Sequence, residues 1–220
     1  APLAYLRREI RAASNGLLSI FDQAIVSATS FVTAAIIGRM TSPDELGLYY
    51  LTLTIVLIIV GIQDQIIAAP YLLYAKRFRG RAHAEYAGSV WLHHLMLTAC
   101  VVAGLAITIA VASLTDRTSI LPGLWALLFA APLLLLREDL RRFMFADLHL
   151  RSVVAIDTTI AVVQVGGLLL LGYLGKLTLF SIFGVMGGAC AVAALGWLVF
   201  DPPQSHVSRE RLRSDWNHNW

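Results

Sequence analysis

The sequence predicts an all-α fold, a polytopic membrane bundle of six transmembrane helices, and three observations carry that expectation. Six long apolar stretches occupy residues 17–38, 47–69, 88–113, 121–136, 153–174 and 177–200. Crossing a bilayer core of about 30 Å takes about 20 mostly apolar residues in a helix. The first three and last two stretches meet that length, and the fourth must borrow residues from its flanks. The mean hydropathy is +0.71 and only 14% of the 220 residues are charged, a balance foreign to soluble domains. Finally, fourteen of the seventeen Lys and Arg residues fall in alternate gaps between the stretches.

Those residues are Arg7, Arg8 and Arg11, then Lys76, Arg77, Arg79 and Arg81, then Arg137, Arg141, Arg142 and Arg151, and last Arg209, Arg211 and Arg213. The intervening gaps hold only Arg39, Arg117 and Lys176. Cytoplasmic loops are enriched in Lys and Arg, so both termini are expected in the cytoplasm. A missed or invented span would break the alternation. The net charge of +3 then has a topological origin. Nucleic-acid binding is not expected, because no segment combines basic residues with stacking aromatics.

The first stretch follows a basic segment as a secretory signal does, but it is too long, carries Asp22 and Gln23, and shows no small-residue cleavage site. It is expected to be a retained helix. In the next turn Ser42 suits a helix cap, Pro43 the first helical position, and Glu45 completes a Ser-x-x-Glu box. Pro70 is expected to end the second span, ahead of a basic turn from Lys76 to Arg81. Pro122 opens the fourth span and Pro132 is expected to kink it, since proline removes a helix hydrogen bond. Beyond it, Arg137 to Asp147 alternates charge with apolar bulk, as an interfacial amphipathic helix does. Gly184 and Gly188 in the sixth span are spaced for close helix approach within one bundle, as are Gly166 and Gly167 in the fifth. Cys100 and Cys190 lie inside spans and read as small packing residues. Residues 201–220 form a polar cytoplasmic tail or inter-lobe linker. The missing initial Met and the abrupt end at Trp220 are what a piece of a longer protein would show.

A charged side chain inside a span costs a few kcal/mol on insertion scales, roughly 2.5–3.5, and therefore needs a partner or water. The first span carries Ser19, Asp22, Gln23, Ser27, Ser30 and Thr33, mostly on one helical face. The second carries Tyr50, Thr54, Gly61, Asp64 and Gln65; the fifth carries Asp157 and Gln164 seven residues apart. Three polar stripes predict an internal hydrated cleft whose acids lie at one depth, about one turn from the cytoplasmic ends. The expected pathway residues are Asp22, Gln23, Ser27, Ser30, Asp64, Gln65, Asp157 and Gln164. His93 and His94 lie near the same end, and as adjacent helical residues they make a poor metal pair. No phosphate loop, HExxH or GxSxG motif occurs, so neither a catalytic nor a metal site is expected. Glu138-Asp139, set among four arginines, reads as an ion-pair network.

Several of these segments together carry a resemblance. They are Asp22-Gln23, then Gly38-Arg39 followed by Ser42-Pro43-Asp44-Glu45-Leu46-Gly47-Leu48-Tyr49, then Arg137-Glu138-Asp139-Leu140-Arg141-Arg142-Phe143-Met144-Phe145-Ala146, and Asp157. The chain resembles the polysaccharide and O-antigen exporter branch of the MOP flippase superfamily (multidrug, oligosaccharidyl-lipid, polysaccharide). Members are similar in an Arg-x-x-x-Pro-Glu-Glu-Phe-Gly-x-Tyr gap and an Arg-Arg-x-x-Phe-Ala segment; here Asp44 and Leu46 replace the commoner Glu and Phe. The resemblance implies one lobe of a two-lobed transporter of the bacterial inner membrane, completed by a second lobe of the same polypeptide. Its implied task is to flip a lipid-linked oligosaccharide, a polyprenyl-diphosphate glycan, during polysaccharide export. Arg39, Arg137 and His93 would be gate or anion contacts. No cofactor is expected beyond a coupling proton or sodium ion. Two alternatives stay open: a multidrug-type cation antiporter of the same superfamily, and a membrane-embedded polyprenyl-lipid transferase, for which only Glu138-Asp139 would hold magnesium.

Overall fold

The chain is described by a computed structural model covering residues 2–115 and 118–200, with side chains from 13 to 199 except at 118. Arg7, Arg8 and Arg11 precede the described side chains. Arg117 and the 201–220 segment, with Arg209, Arg211 and Arg213, lie outside the described residues. Within them the fold is entirely helical, without a strand, and six helical runs are long and apolar enough to cross a membrane.

Helix α1 is Pro2–Met40 and α2 is Pro43–Gln63. A π turn, Asp64–Ala68, joins α2 to the short α3, Ala69–Tyr74. Then follow α4 Arg81–Leu114, α5 Leu121–Ala146, α6 Leu150–Tyr173 and α7 Leu179–Phe200. Helix α5 packs extensively on α7 and α4, while α6 sits between α1 and α7. The consecutive α1 and α2 hardly touch, so a cleft opens between them. The largest apolar core fills the end of the bundle away from the basic turns, around Ile37, Tyr49, Leu127, Leu168, Ile182 and Phe183. Each of these side chains removes its apolar area from water or lipid and gains dense packing.

Several sequence expectations are realised locally. Ser42 caps α2 by accepting a hydrogen bond from Glu45 N at 3.3 Å, with Pro43 in the first turn. Pro122 opens α5. Three expectations are corrected. Pro70 does not end the second span, which continues to Arg77. The π turn before it absorbs the hydrogen bond that proline cannot donate, with Ala69 N bonding Asp64 O five residues back. Helix α5 extends past residue 136 as expected, but the extension packs into the bundle and does not lie as an amphipathic surface. It runs unbroken through Pro132 to Ala146 and buries Asp139, Leu140, Phe143 and Met144. Close approach in α7 comes from Gly187, where a Cβ would sit 3.3 Å from Ala130 Cα; Gly184 and Gly188 face open space. In α6 the close contact is Gly167 against Val185, not Gly166.

Two turns end their helices in the same way with different residues. After α6, Gly175 takes φ +65° and Lys176 N bonds Leu171 O at 2.9 Å. After α5, Leu148 takes φ +59° and His149 N bonds Met144 O at 2.9 Å. The geometry is the left-handed helix stop that glycine adopts freely and leucine only at a cost of about 1–2 kcal/mol. The α5–α6 turn accepts that strain, and it sets the register of the two helices that carry the charged residues described next.

Candidate functional site

Residues 137–142 of α5 form the hub of the molecule's charge. At 1.5 Å per residue they span about 8 Å of helix. Steps of four bring Arg137 and Arg141 to one side of α5, facing α6 and α1. Arg137 Nη2 donates to Asp157 Oδ1 at 2.7 Å and Nη1 to Glu138 Oε1 at 2.6 Å. Arg141 Nε donates to Asp157 Oδ2 at 2.7 Å, and its Nη2 reaches Asp22 Oδ2 at 2.6 Å. Asp157 on α6 is therefore held by both guanidiniums, and Arg141 ties α6 to α1. The Asp157 and Asp22 side chains are only 1% and 2% exposed. Pairing at this depth is obligatory, because an ionised carboxylate left alone there costs several kcal/mol.

Above this layer lies the cleft, about 260 Å³, lined by all the long helices except α4. Val26, Leu53, Val56, Leu57, Val60 and Met186 make its walls apolar, while Arg137, Glu138, Arg141 and Asp157 make one end ionic. Beyond them Gln164 Nε2 donates to Thr33 Oγ1 at 2.8 Å, a buried bond that continues the α1–α6 seam. With every group ionised, three carboxylates meet two guanidiniums and the cluster carries one negative charge.

The other sides of α5 carry different pairs. Asp139, fully buried, meets His94 of α4, with Asp139 Oδ2 at 2.5 Å from His94 Nδ1. Gln63, the last residue of α2, donates from Nε2 to Leu135 O at 2.9 Å and lies 3.5 Å from the same imidazole nitrogen. Arg142 donates to Asp64 Oδ2, in the π turn, at 2.7 Å. Asp22, Asp157, Asp64 and His94 thus occupy one layer, at matching depth along α5.

The structure sorts the expected pathway residues into two groups. Asp157, Gln164 and Ser30 line the cleft, and Asp22 reaches its ionic end through Arg141. Gln23, Ser27 and Gln65 are exposed and do not line it, and Asp64 is turned away toward Arg142. The α2 stripe does not face the cleft either: Tyr50, Thr54 and Gly61 are exposed, and the α2 wall is apolar. Asp157 lies seven residues into α6, about two turns from its start. Of the expected gate residues, Arg137 is in the cleft, Arg39 is exposed away from it, and His93 is only partly buried beside the buried His94. Cys190 lines the cleft, whereas Cys100 is exposed rather than packed. Sequence reasoning missed Arg141, Gln63 and the His94–Asp139 pair. The four-residue step from Arg137 to Arg141, placed two residues either side of Asp139, was the available signal. Among the described residues no group of three or more His, Cys, Asp or Glu is placed to hold a metal ion.

These features define a multi-pass membrane helical bundle with an ion-paired cleft between its first two spans. No family model matches the chain, and no curated protein or solved structure matches it.

Proposed function

We propose that this chain is a transporter lobe of the MOP type that its sequence resembles, helping to flip a polyprenyl-diphosphate-linked oligosaccharide across the bacterial cytoplasmic membrane. The basic turns and both termini face the cytoplasm in this reading. Its main support is the cleft, apolar along the walls and cationic groups at one end, opening between two helices that barely pack. An amphipathic lipid-linked substrate has the matching halves. Arg137 and Arg141 offer planar, forked donors suited to phosphate oxygens. In the structure those donors are occupied by Asp22, Asp157 and Glu138. An incoming diphosphate therefore competes with the carboxylates, and displacing Asp22 frees α1 from α5. Substrate binding and movement of α1 become one event, as rocking transporters require. A cleft of 260 Å³ accommodates a headgroup rather than a whole glycan, which fits a second lobe supplying the opposite wall.

Glycan export by the complete protein tests this reading. Asp157→Asn should abolish export, Asp22→Asn should reduce it, and Asp64→Asn, outside the cleft, should leave it near wild type. Wild-type export in both Asp157→Asn and Asp22→Asn would remove the cleft acids from the mechanism. The cluster's one surplus carboxylate favours the second reading, a cation antiporter of the same superfamily. Saturable binding of an organic cation to the purified protein, lost in Asp157→Asn, would select it.

A further inference from the structure

A second cavity lies apart from the cleft, at the end of the bundle that carries the basic turns. It measures about 530 Å³ and is lined from two sides. Helix α1 contributes Ser14, Asn15 and Leu18, which share a face at steps of three and four. The α5–α6 turn and the first turn of α6 contribute Leu148, His149, Leu150, Arg151 and Ser152. The volume falls within the usual range of small-molecule sites, about 300–1,000 Å³. Because this turn joins two spans, Leu121–Ala146 and Leu150–Tyr173, the cavity sits at the level of a bilayer's headgroups.

The lining is chemically one-sided. Arg151 brings a guanidinium, His149 an imidazole, and Ser14, Asn15 and Ser152 neutral hydrogen-bonding groups; no acid lines it among the described residues. Arg137, Arg141 and Arg142 each hold a carboxylate, whereas Arg151 makes no ion pair among the described residues. The acids closest in sequence to the lining are engaged elsewhere: Asp147 faces His83 of α4 at 3.8 Å, and Asp22 is held by Arg141. From Ser14, Leu17 and Phe21 follow up α1 at steps of three and four, and both are exposed. They make an apolar stripe leading from the cavity into the bilayer. A cationic, donor-rich cup at headgroup depth with such a stripe beside it matches an amphiphile with a phosphate-ester head and hydrocarbon tails. A free anion would have no use for the stripe.

We propose that this cavity binds the headgroup of an anionic phospholipid, with the phosphate on Arg151, further hydrogen bonds from Ser14, Asn15 and Ser152, and acyl chains along Leu17 and Phe21. Arginine's forked donors suit phosphate oxygens, and basic pockets between spans attract anionic lipid. The bound lipid bridges α1 to the α5–α6 turn. The site does not depend on what the cleft transports.

Native mass spectrometry of the full chain, purified in detergent and supplied with an equal mixture of phosphatidylglycerol and phosphatidylcholine, tests this. Phosphatidylglycerol should stay bound in preference to phosphatidylcholine. Arg151→Gln should lower its retention about tenfold, the scale of one lost charge-assisted contact. Ser14→Leu, which fills the cavity from α1 without altering charge, should lower it as well. Arg79→Gln removes the same charge from the exposed basic turn at this end and should change nothing. Equal loss in Arg79→Gln, wild-type retention in Ser14→Leu, or indifference to headgroup charge overturns the proposal. Displacement of the lipid by equimolar glycerol phosphate would also overturn it, and would assign the cavity to a free phosphate. Lipid retention reads this cavity and glycan export reads the cleft, so the two readings fail separately.

Discussion

Two sides of α5, less than two turns apart, solve the problem of buried charge in opposite ways. Toward α6 and α1, Arg137 and Arg141 share Asp157, and Asp22 and Glu138 complete a network beside an open cleft. Toward α4, Asp139 has one partner, His94, sealed among aromatic rings. Within the shared network Asp157 keeps one guanidinium when the other leaves, because both reach it, whereas Asp22 hangs on Arg141 alone. The dyad offers no such exchange, because Asp139 and His94 have only each other as charged partners within reach. Sharing leaves the α5–α6 contact beside the cleft adjustable, and isolation fixes the α4–α5 seam.

Breaking the network at its bridging member should have the largest effect. Arg141→Met leaves Asp22 without a partner and Asp157 with one, and should lower stability by about 3–5 kcal/mol, read as a fall in thermal unfolding temperature in nanodiscs. Asp22→Asn keeps a hydrogen-bond acceptor for Arg141 and leaves Asp157 on it, so the loss should be smaller, about 1.5–3 kcal/mol. If Asp22→Asn proves as costly as Arg141→Met, the network is not redundant and the contrast fails. On the α4 side, replacing both partners together, His94→Leu with Asp139→Leu, should fall within about 1 kcal/mol of wild type, since matched apolar groups replace a buried ion pair at little net cost. The smallest change should come from Arg142→Ala. Its side chain is 35% exposed and that of Asp64 28%, so solvent already screens the pair and the loss should stay below about 1 kcal/mol. An Arg142→Ala loss equal to that of Arg141→Met would mean that depth does not grade these pairs.

The number and order of the spans were legible because lipid imposes length and apolarity on each helix separately. The Ser42 cap and the Pro122 start were legible because their partners lie within one turn. What stayed hidden depends on residues far apart in the chain. Arg137 to Arg142 look like a polar loop to any local measure of hydropathy. They become interior only when Asp22, 119 positions from Arg141, and Asp64, 78 from Arg142, arrive to neutralise them. The α2 stripe misled for a related reason: Tyr50 and Thr54 share a face, but Thr54 satisfies its hydroxyl on Tyr50 O within its own helix and needs no cleft. Pro70 misled because the π turn that accommodates it has no signature in composition.

That wide turn, Asp64–Ala68, amounts to one surplus residue stored in the second span. An α-helix advances about 100° per residue, so the surplus offsets the phase of everything after it. Tyr71 meets Phe143 and Tyr86 only because of that offset, while Thr52 and Gln63 meet α5 in the phase before it. One span is thereby fitted to its neighbours in two rotational settings, with Asp64 and its Arg142 tether at the join. Excising a single residue there would swing the aromatic end round by more than a quarter turn and leave the first half untouched.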